Sequence, residues 1–314
     1  MNNLEMLTEI RNNSSRQTET LSNLKELGLK DAKAVHLLWL YPDITNIHGG
    51  RGDIMAFMHI ANMMKLPLEI RRCDSLQETV DWSWPDIVYI TAGELKCAKE
   101  IATALRAQMG DESSGLLAYV NKGGYFIANG SSGAALADKV YLDYSGQKEE
   151  VEGLGLLHMT WKQRDMVWGD DIWVTTDDGI DILGNQIQIA DVELAEGQKA
   201  FATLQYGRGN NGITEDKLGV GSSTLVGKGS GLEGARTGNV IYTCVLGPMC
   251  TKNPRFTESI LKGAAEHAGV KASAELKDED IQFENESIEC IKKFIRIKQE
   301  DPNTLADTLK NNNR

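Results

Sequence analysis

Hydrophobic positions come in two different rhythms along this chain. From Ala34 a continuous apolar run, "AVHLLWLYP", stops at Pro42, as expected of a strand buried on both faces. Residues 53–65 carry a methionine-rich face at helical spacing. "LEIRRCD" and "DIVYITAG" predict two further strands, "EIATALRAQM" a helix, "GGYFIANG" a fourth strand and "SGAALADKV" the start of another helix. This order predicts an open α/β sheet, mainly parallel, with helices on both faces. Working groups of such sheets gather beyond the carboxyl ends of the strands. Those ends are Tyr41–Asp43, Thr91–Glu94 and Asn129–Ser132.

Between about 140 and 240 the rhythm changes to short alternating segments broken by glycine, such as "QIQIADVEL" and "AFATLQYG". These predict an antiparallel, glycine-rich section. "NVIYTCVLGP" then reads as another buried strand and "NPRFTESILKGAAEHAG" as a helix with Pro254 in its first turn. Outside this core, residues 1–30 have leucines at helical spacing (Leu21, Leu24, Leu27) and predict a helical extension. Residues 271–314 predict an acidic linker and a C-terminal helix, leaving 31–270 as the main domain.

Composition narrows the function classes. The chain has 314 residues and a net charge of −12, with its lysines and arginines dispersed. Nucleic-acid binding draws on clustered cations, so no nucleic-acid partner is expected. No apolar run approaches the roughly 20 residues that span a bilayer, so no membrane insertion is expected. The polar start lacks the apolar core of a secretory signal, and a cytoplasmic protein is expected. Five cysteines without a C-x-x-C pair predict reduced thiols, with neither a metal site nor a cofactor implied.

Motifs for familiar chemistry fail on inspection. Two G-x-G-x-x-G matches, Gly207-Gly209-Gly212 and Gly229-Gly231-Gly234, do not sit between a strand and a helix, so they read as turns. No G-x-x-x-x-G-K-[ST] loop is present. The segment Ala128 to Gly133, "ANGSSG", has the outline of a nucleophile elbow, but neither Ser131 nor Ser132 satisfies G-x-S-x-G.

Leu40-Tyr41-Pro42-Asp43, Asn46, Gly49 and Arg51-Gly52-Asp53-Ile54 resemble the L-Y-P-D-x-x-N-x-x-G-x-R-G-x-I opening of the CobB/CobQ-like class I glutamine amidotransferases. The likeness is nearest to the branch containing the glutaminase subunit of lipid II isoglutaminyl synthase. Glu152-Gly153-Leu154-Gly155, Gly184-Asn185, Gly247-Pro248 and Lys252-Asn253-Pro254 follow in the family's order, so the resemblance spans residues 34–268. It implies a flavodoxin-like sheet, a cysteine–histidine dyad that hydrolyses glutamine, and an ATP-dependent, Mur-ligase-like partner that receives the ammonia. Matching the elbow motif puts Asn129 at the nucleophile position, and the Gly-Pro anchor puts Leu246 at the base position. Neither residue can do the family's chemistry, which needs a thiolate and a proton-carrying base. Asparagine tolerates the positive-φ conformation of a sharp elbow, so Asn129 is expected to hold that turn.

The resemblance thus implies a non-catalytic amidotransferase-like subunit. Its old pocket would comprise Thr91, Gly93, Glu94, Asn129, Gly130, Ser131 and Ser132, with the signature residues Tyr41, Asp43, Asn46, His48, Arg51 and Asp53 nearby. Two alternatives stand beside it: a relocated nucleophile at Cys97 or Cys250, and a module that binds a small amine or amino acid.

Overall fold

The structure, a computed structural model, describes residues 20–144, 146–210 and 231–300. Its first sheet has seven strands, in the order β1 (Leu21–Ser22), β3 (Leu68–Cys73), β2 (Val35–Leu40), β4 (Ile87–Ile90), β5 (Tyr125–Asn129), β13 (Val240–Thr243) and β12 (Ala235–Thr237). The five inner strands are parallel and the two edges antiparallel. Counted in chain order, the parallel strands lie 2-1-3-4-5, the flavodoxin-like winding, with its switch point between β2 and β4.

Alternation along these strands feeds two cores. Leu37, Trp39, Tyr89, Ile127 and Ile241 face the helices α2 (Gly50–Met63), which follows the short α1 (Pro42–Thr45), and α6 (Pro254–Ala268). Leu38, Leu40, Val88, Phe126 and Tyr242 face α3 (Ala98–Arg106) and α4 (Gly115–Asn121). Both faces of the sheet are therefore covered, and its strands read as near-continuous apolar runs. Among the described residues no helix is long and apolar enough to cross a membrane.

The middle section folds into a second sheet of six strands. β11 (Gly231–Glu233), β10 (Ala202–Tyr206), β8 (Met159–Thr176), β6 (Lys139–Tyr144) and β7 (Gln147–Glu152) form its path, and the long β9 (Asp181–Leu194) pairs with β8. Every pairing is antiparallel except β6 with β8. The C-terminal helix α7 (Gln282–Glu300) docks on this sheet: Ile295 packs with Leu183 and Tyr206, and Lys298 reaches Asp170 at 2.7 Å and Asp171 at 3.1 Å.

Three sequence expectations change. Leu21–Ser22 is an edge strand on β3 rather than part of a helix, because its backbone groups find partners there; residues 1–19 lie outside the described residues. "SGAALADKV" forms only a 3-10 helix, Gly130–Leu136, since Ala137 is extended and Lys139 already begins β6. Helix α4 has no counterpart in the sequence reading. Of the glycine repeats, Gly207 turns the chain after β10 at φ 110° and Gly234 after β11 at φ 67°, but Gly231 lies within β11 because its backbone pairs with β10; Gly212 and Gly229 lie outside the described residues.

The two sheets meet at a clasp. Asn185 N–H donates to the Leu246 carbonyl at 3.0 Å, and Leu246 N–H returns a bond to the Asn185 carbonyl at 2.8 Å. Asn253 then accepts from Leu183 N–H at 2.8 Å and donates to the Leu183 and Met249 carbonyls. Lys252 Nζ donates to Asn185 Oδ1 at 3.0 Å. Glycine at 184 is a steric requirement, because a Cβ there would lie 2.5 Å from the Leu246 carbonyl oxygen and 2.6 Å from Val245 Cγ1. Gly184→Ala should force the strands apart and lower stability by about 1–3 kcal/mol, read as a lower urea midpoint. An unchanged midpoint would contradict the clasp.

Candidate functional site

The carboxyl ends of β2, β4, β5 and β13 lie along one edge of the first sheet, and the residues singled out in the sequence fall around them. Strand β5 runs straight into its elbow. Asn129 is extended, with φ −106° and ψ 138°, and the left-handed turn falls on Gly130, φ 60°. This corrects the sequence expectation that Asn129 would occupy the strained position. Gly130 does so, and it carries no side chain at all.

The space above Gly130 is already filled. A Cβ on Gly130 would lie 2.9 Å from Ala92 Cβ and 3.0 Å from Leu246 Cδ2. Leu246 therefore packs directly on the elbow, held there by its backbone clasp to Asn185. Leu246, which the resemblance puts at the base position, thus packs on the glycine that follows Asn129, which it puts at the nucleophile position.

The remaining elbow residues are committed to structure. Ser131 Oγ–H donates to the Gly93 carbonyl, and Ser132 Oγ–H donates to the Thr91 carbonyl at 2.6 Å. Thr91 is buried and donates in turn to the Thr45 carbonyl at 2.6 Å. These bonds tie the elbow to the end of β4 and occupy each hydroxyl as a donor. Asn129 points beneath the elbow, donating to Tyr89 at 3.4 Å, while its buried Oδ1 has no hydrogen-bond partner among the described residues.

A cavity of about 290 Å³ opens beside the elbow. Of the sequence candidates it is lined by His48, Gly93, Glu94 and Ser131, and also by Leu246; Thr91, Asn129, Gly130 and Ser132 do not line it. Glu94 is exposed and paired with Lys96, which lines the same cavity, so the mouth presents both signs of charge. The opposite wall comes from the second sheet: Trp161 and Gln163 on β8, with Ile187, Gln188 and Ile189 on β9. Sequence reasoning missed this wall. Alternation in "QIQIADVEL" identifies a strand but carries no signal for which sheet it faces.

The signature residues support the site from behind. Tyr41 is buried in a left-handed conformation, φ 54°, and burial pushes its hydroxyl well above the ordinary range. Asn46 Oδ1 accepts from Arg51 N–H at 3.0 Å, shaping the entry to α2. Asp43 lies 3.7 Å from Arg72, and His48, φ 56°, is exposed at the rim. Asp53 Oδ1 accepts from Cys250 N–H at 2.6 Å, linking α2 to the short helix α5 (Met249–Lys252).

Neither proposed alternative thiol faces the cavity. Burial raises the Cys250 thiol well above its ordinary value, with Asp53 adding to the shift, and Cys250 is fully buried. Burial, then Glu100 and Glu94, raises Cys97 as well. Cys244 does line the cavity, but burial and Glu233 raise its thiol too. A nucleophilic cysteine needs the opposite shift.

No family model matches the chain, and no curated protein matches it. Among solved structures, PurLQS from Thermotoga maritima is similar with a TM-score of 0.43 and 11% identity, over 76% of this chain and 98% of that one. The glutaminase domain of Trypanosoma brucei CTPS with bound acivicin is similar with a TM-score of 0.41 and 10% identity, over 74% and 94%. Both likenesses concern overall fold.

Two buried carboxyls brace the strand ends. Burial pushes Asp53 up from 3.8 to about 7, against the hydrogen bond from Cys250 N–H. Burial likewise pushes Glu233 from 4.5 to about 7, although it accepts from Cys244 N–H at 2.6 Å and Thr243 Oγ1 at 2.9 Å. A carboxyl raised on folding stabilises the protonated folded state, and that contribution disappears as pH rises through the folded value. The thermal midpoint should therefore fall between about pH 4.5 and pH 7 and level off above about pH 8. In Glu233→Gln, which mimics the protonated acid, the fall should be smaller, and smaller again with Asp53→Asn. Identical slopes in parent and variants would contradict this assignment.

Proposed function

We propose that this chain is a glutamine amidotransferase-like protein without glutaminase activity. In this reading it acts as a docking or regulatory subunit of an ATP-dependent, Mur-ligase-like amide ligase. The observation that carries the first half is the pairing of Gly130 with Leu246. A thiolate attack on an amide needs a side chain at the elbow and a base beside it, and these two residues supply neither. Losing such a dyad costs orders of magnitude in rate even when binding survives.

The second half rests on the sequence resemblance, whose quoted residues are largely architectural here. They shape the α2 entry and the clasp between the sheets, so they can persist without chemistry. The remaining 290 Å³ cavity gives the subunit a place to hold a small amine or amino acid, whose ammonium or carboxylate would have to exchange into the Glu94–Lys96 pair at its mouth.

Purified protein should release ammonia from glutamine at the blank rate, both alone and mixed with a Mur-ligase-like protein encoded beside it. The two should co-elute as a complex. Ammonia release well above the blank would overturn the loss of glutaminase activity, and separate elution would overturn the partner.

A further inference from the structure

Helix α7 is apolar on two sides, and only one of them is used. Ile288, Ile291 and Ile295 face the second sheet. On the other side Phe283 is 83% exposed, Phe294 39% and Ile297 40%, with the exposed Cys290 among them. Their spacing, with steps of seven, four and three residues along the helix, places these four on one face. An apolar stripe left open on a helix that already has a buried face points to a partner.

The charges say which partner. Before Cys290 the helix carries Glu284, Glu286 and Glu289 and no basic residue; after it come Lys292, Lys293, Arg296 and Lys298, with no acidic residue until Glu300. Lys292 is held by Asp181 and Glu289, and Lys298 by Asp170 and Asp171. That leaves Glu286 flanking the stripe at one end and Lys293 on the same flank at the other, while Arg296 lies over the Trp173 ring. Such a helix is complementary to itself when reversed.

We propose that the exposed face of α7 pairs two copies of this chain, antiparallel, about a two-fold axis at Cys290. In that register Phe283 of one copy meets Ile297 of the other. Glu286 comes beside Lys293, and symmetry makes each contact twice. Parallel pairing would set like charges together. The helix is only ~28 Å long, and one helix pair buries less than the roughly 800 Å² per partner of a standard interface. The dimer should therefore be a micromolar one.

The acid-first, base-last order also suits the helix's own dipole, so the test must separate the two roles. Sedimentation should show the mass rising from monomer toward dimer between about 5 and 200 µM. Mild oxidation should trap a covalent dimer that Cys290→Ser abolishes. Phe283→Glu, at a position 83% exposed, should remove the dimer and leave the thermal midpoint unchanged. Glu286→Lys and Lys293→Glu should each weaken dimerisation about tenfold, and the double variant should regain most of that loss. A monomer at every concentration, or a double variant no better than either single, would overturn the proposal. So would a monomer whose Cys290 resists thiol reagents, which would place residues 301–314 over the stripe.

Discussion

Two reciprocal backbone hydrogen bonds between Asn185 and Leu246 carry much of this architecture, because they fix where the second sheet sits relative to the end of β13. Without a side chain at Gly184 the strands can approach closely enough to make them. Asn253 and Lys252 reinforce the joint from α6 and α5. Once Leu246 is held this way, its side chain has one place to go, onto the elbow at Gly130. The wall of β8 and β9 follows, closing the far side of the cavity. A structural clasp thereby also determines what the site can do.

In the proposed reading, that site keeps the left-handed turn of an elbow without a nucleophile or a base. The left-handed turn after β5 survives on a glycine, where it costs little. Ser131 and Ser132 spend their hydroxyl donors on the Gly93 and Thr91 carbonyls just past β4, which brace the turn. Ala92 and Leu246 take up the volume into which a nucleophile would project. The buried cysteines nearby are held as neutral thiols by desolvation. What remains is a small, mixed-charge cavity beside a rigid turn, suited to holding a ligand or shaping a partner's surface.

Much of the fold was legible from periodicity. Apolar runs located the parallel strands, and Pro254 marked the start of α6. The elbow was legible as a shape, but its register was off by one: matching motif letters put the turn on Asn129, whereas backbone strain selects Gly130. Local pattern also failed where tertiary context decides. Leu21–Ser22 became a strand because the β3 edge was open to it. "SGAALADKV" stopped as a 3-10 helix because the second sheet needed Lys139 and its neighbours. The β8–β9 wall was invisible, since alternation reports a buried face without naming what it is buried against.

The central claim is that no residue of this site can attack a glutamine-like electrophile. The direct test is intact-mass measurement after incubation with a glutamine-shaped, thiol-directed electrophile at neutral pH, followed by peptide mapping. The account predicts no adduct at any residue around the cavity, with exposed Cys290 alone reacting slowly and no faster than with a shapeless reagent. A stoichiometric adduct on Cys97, Cys244 or Cys250 would contradict it and restore the site as an enzyme's.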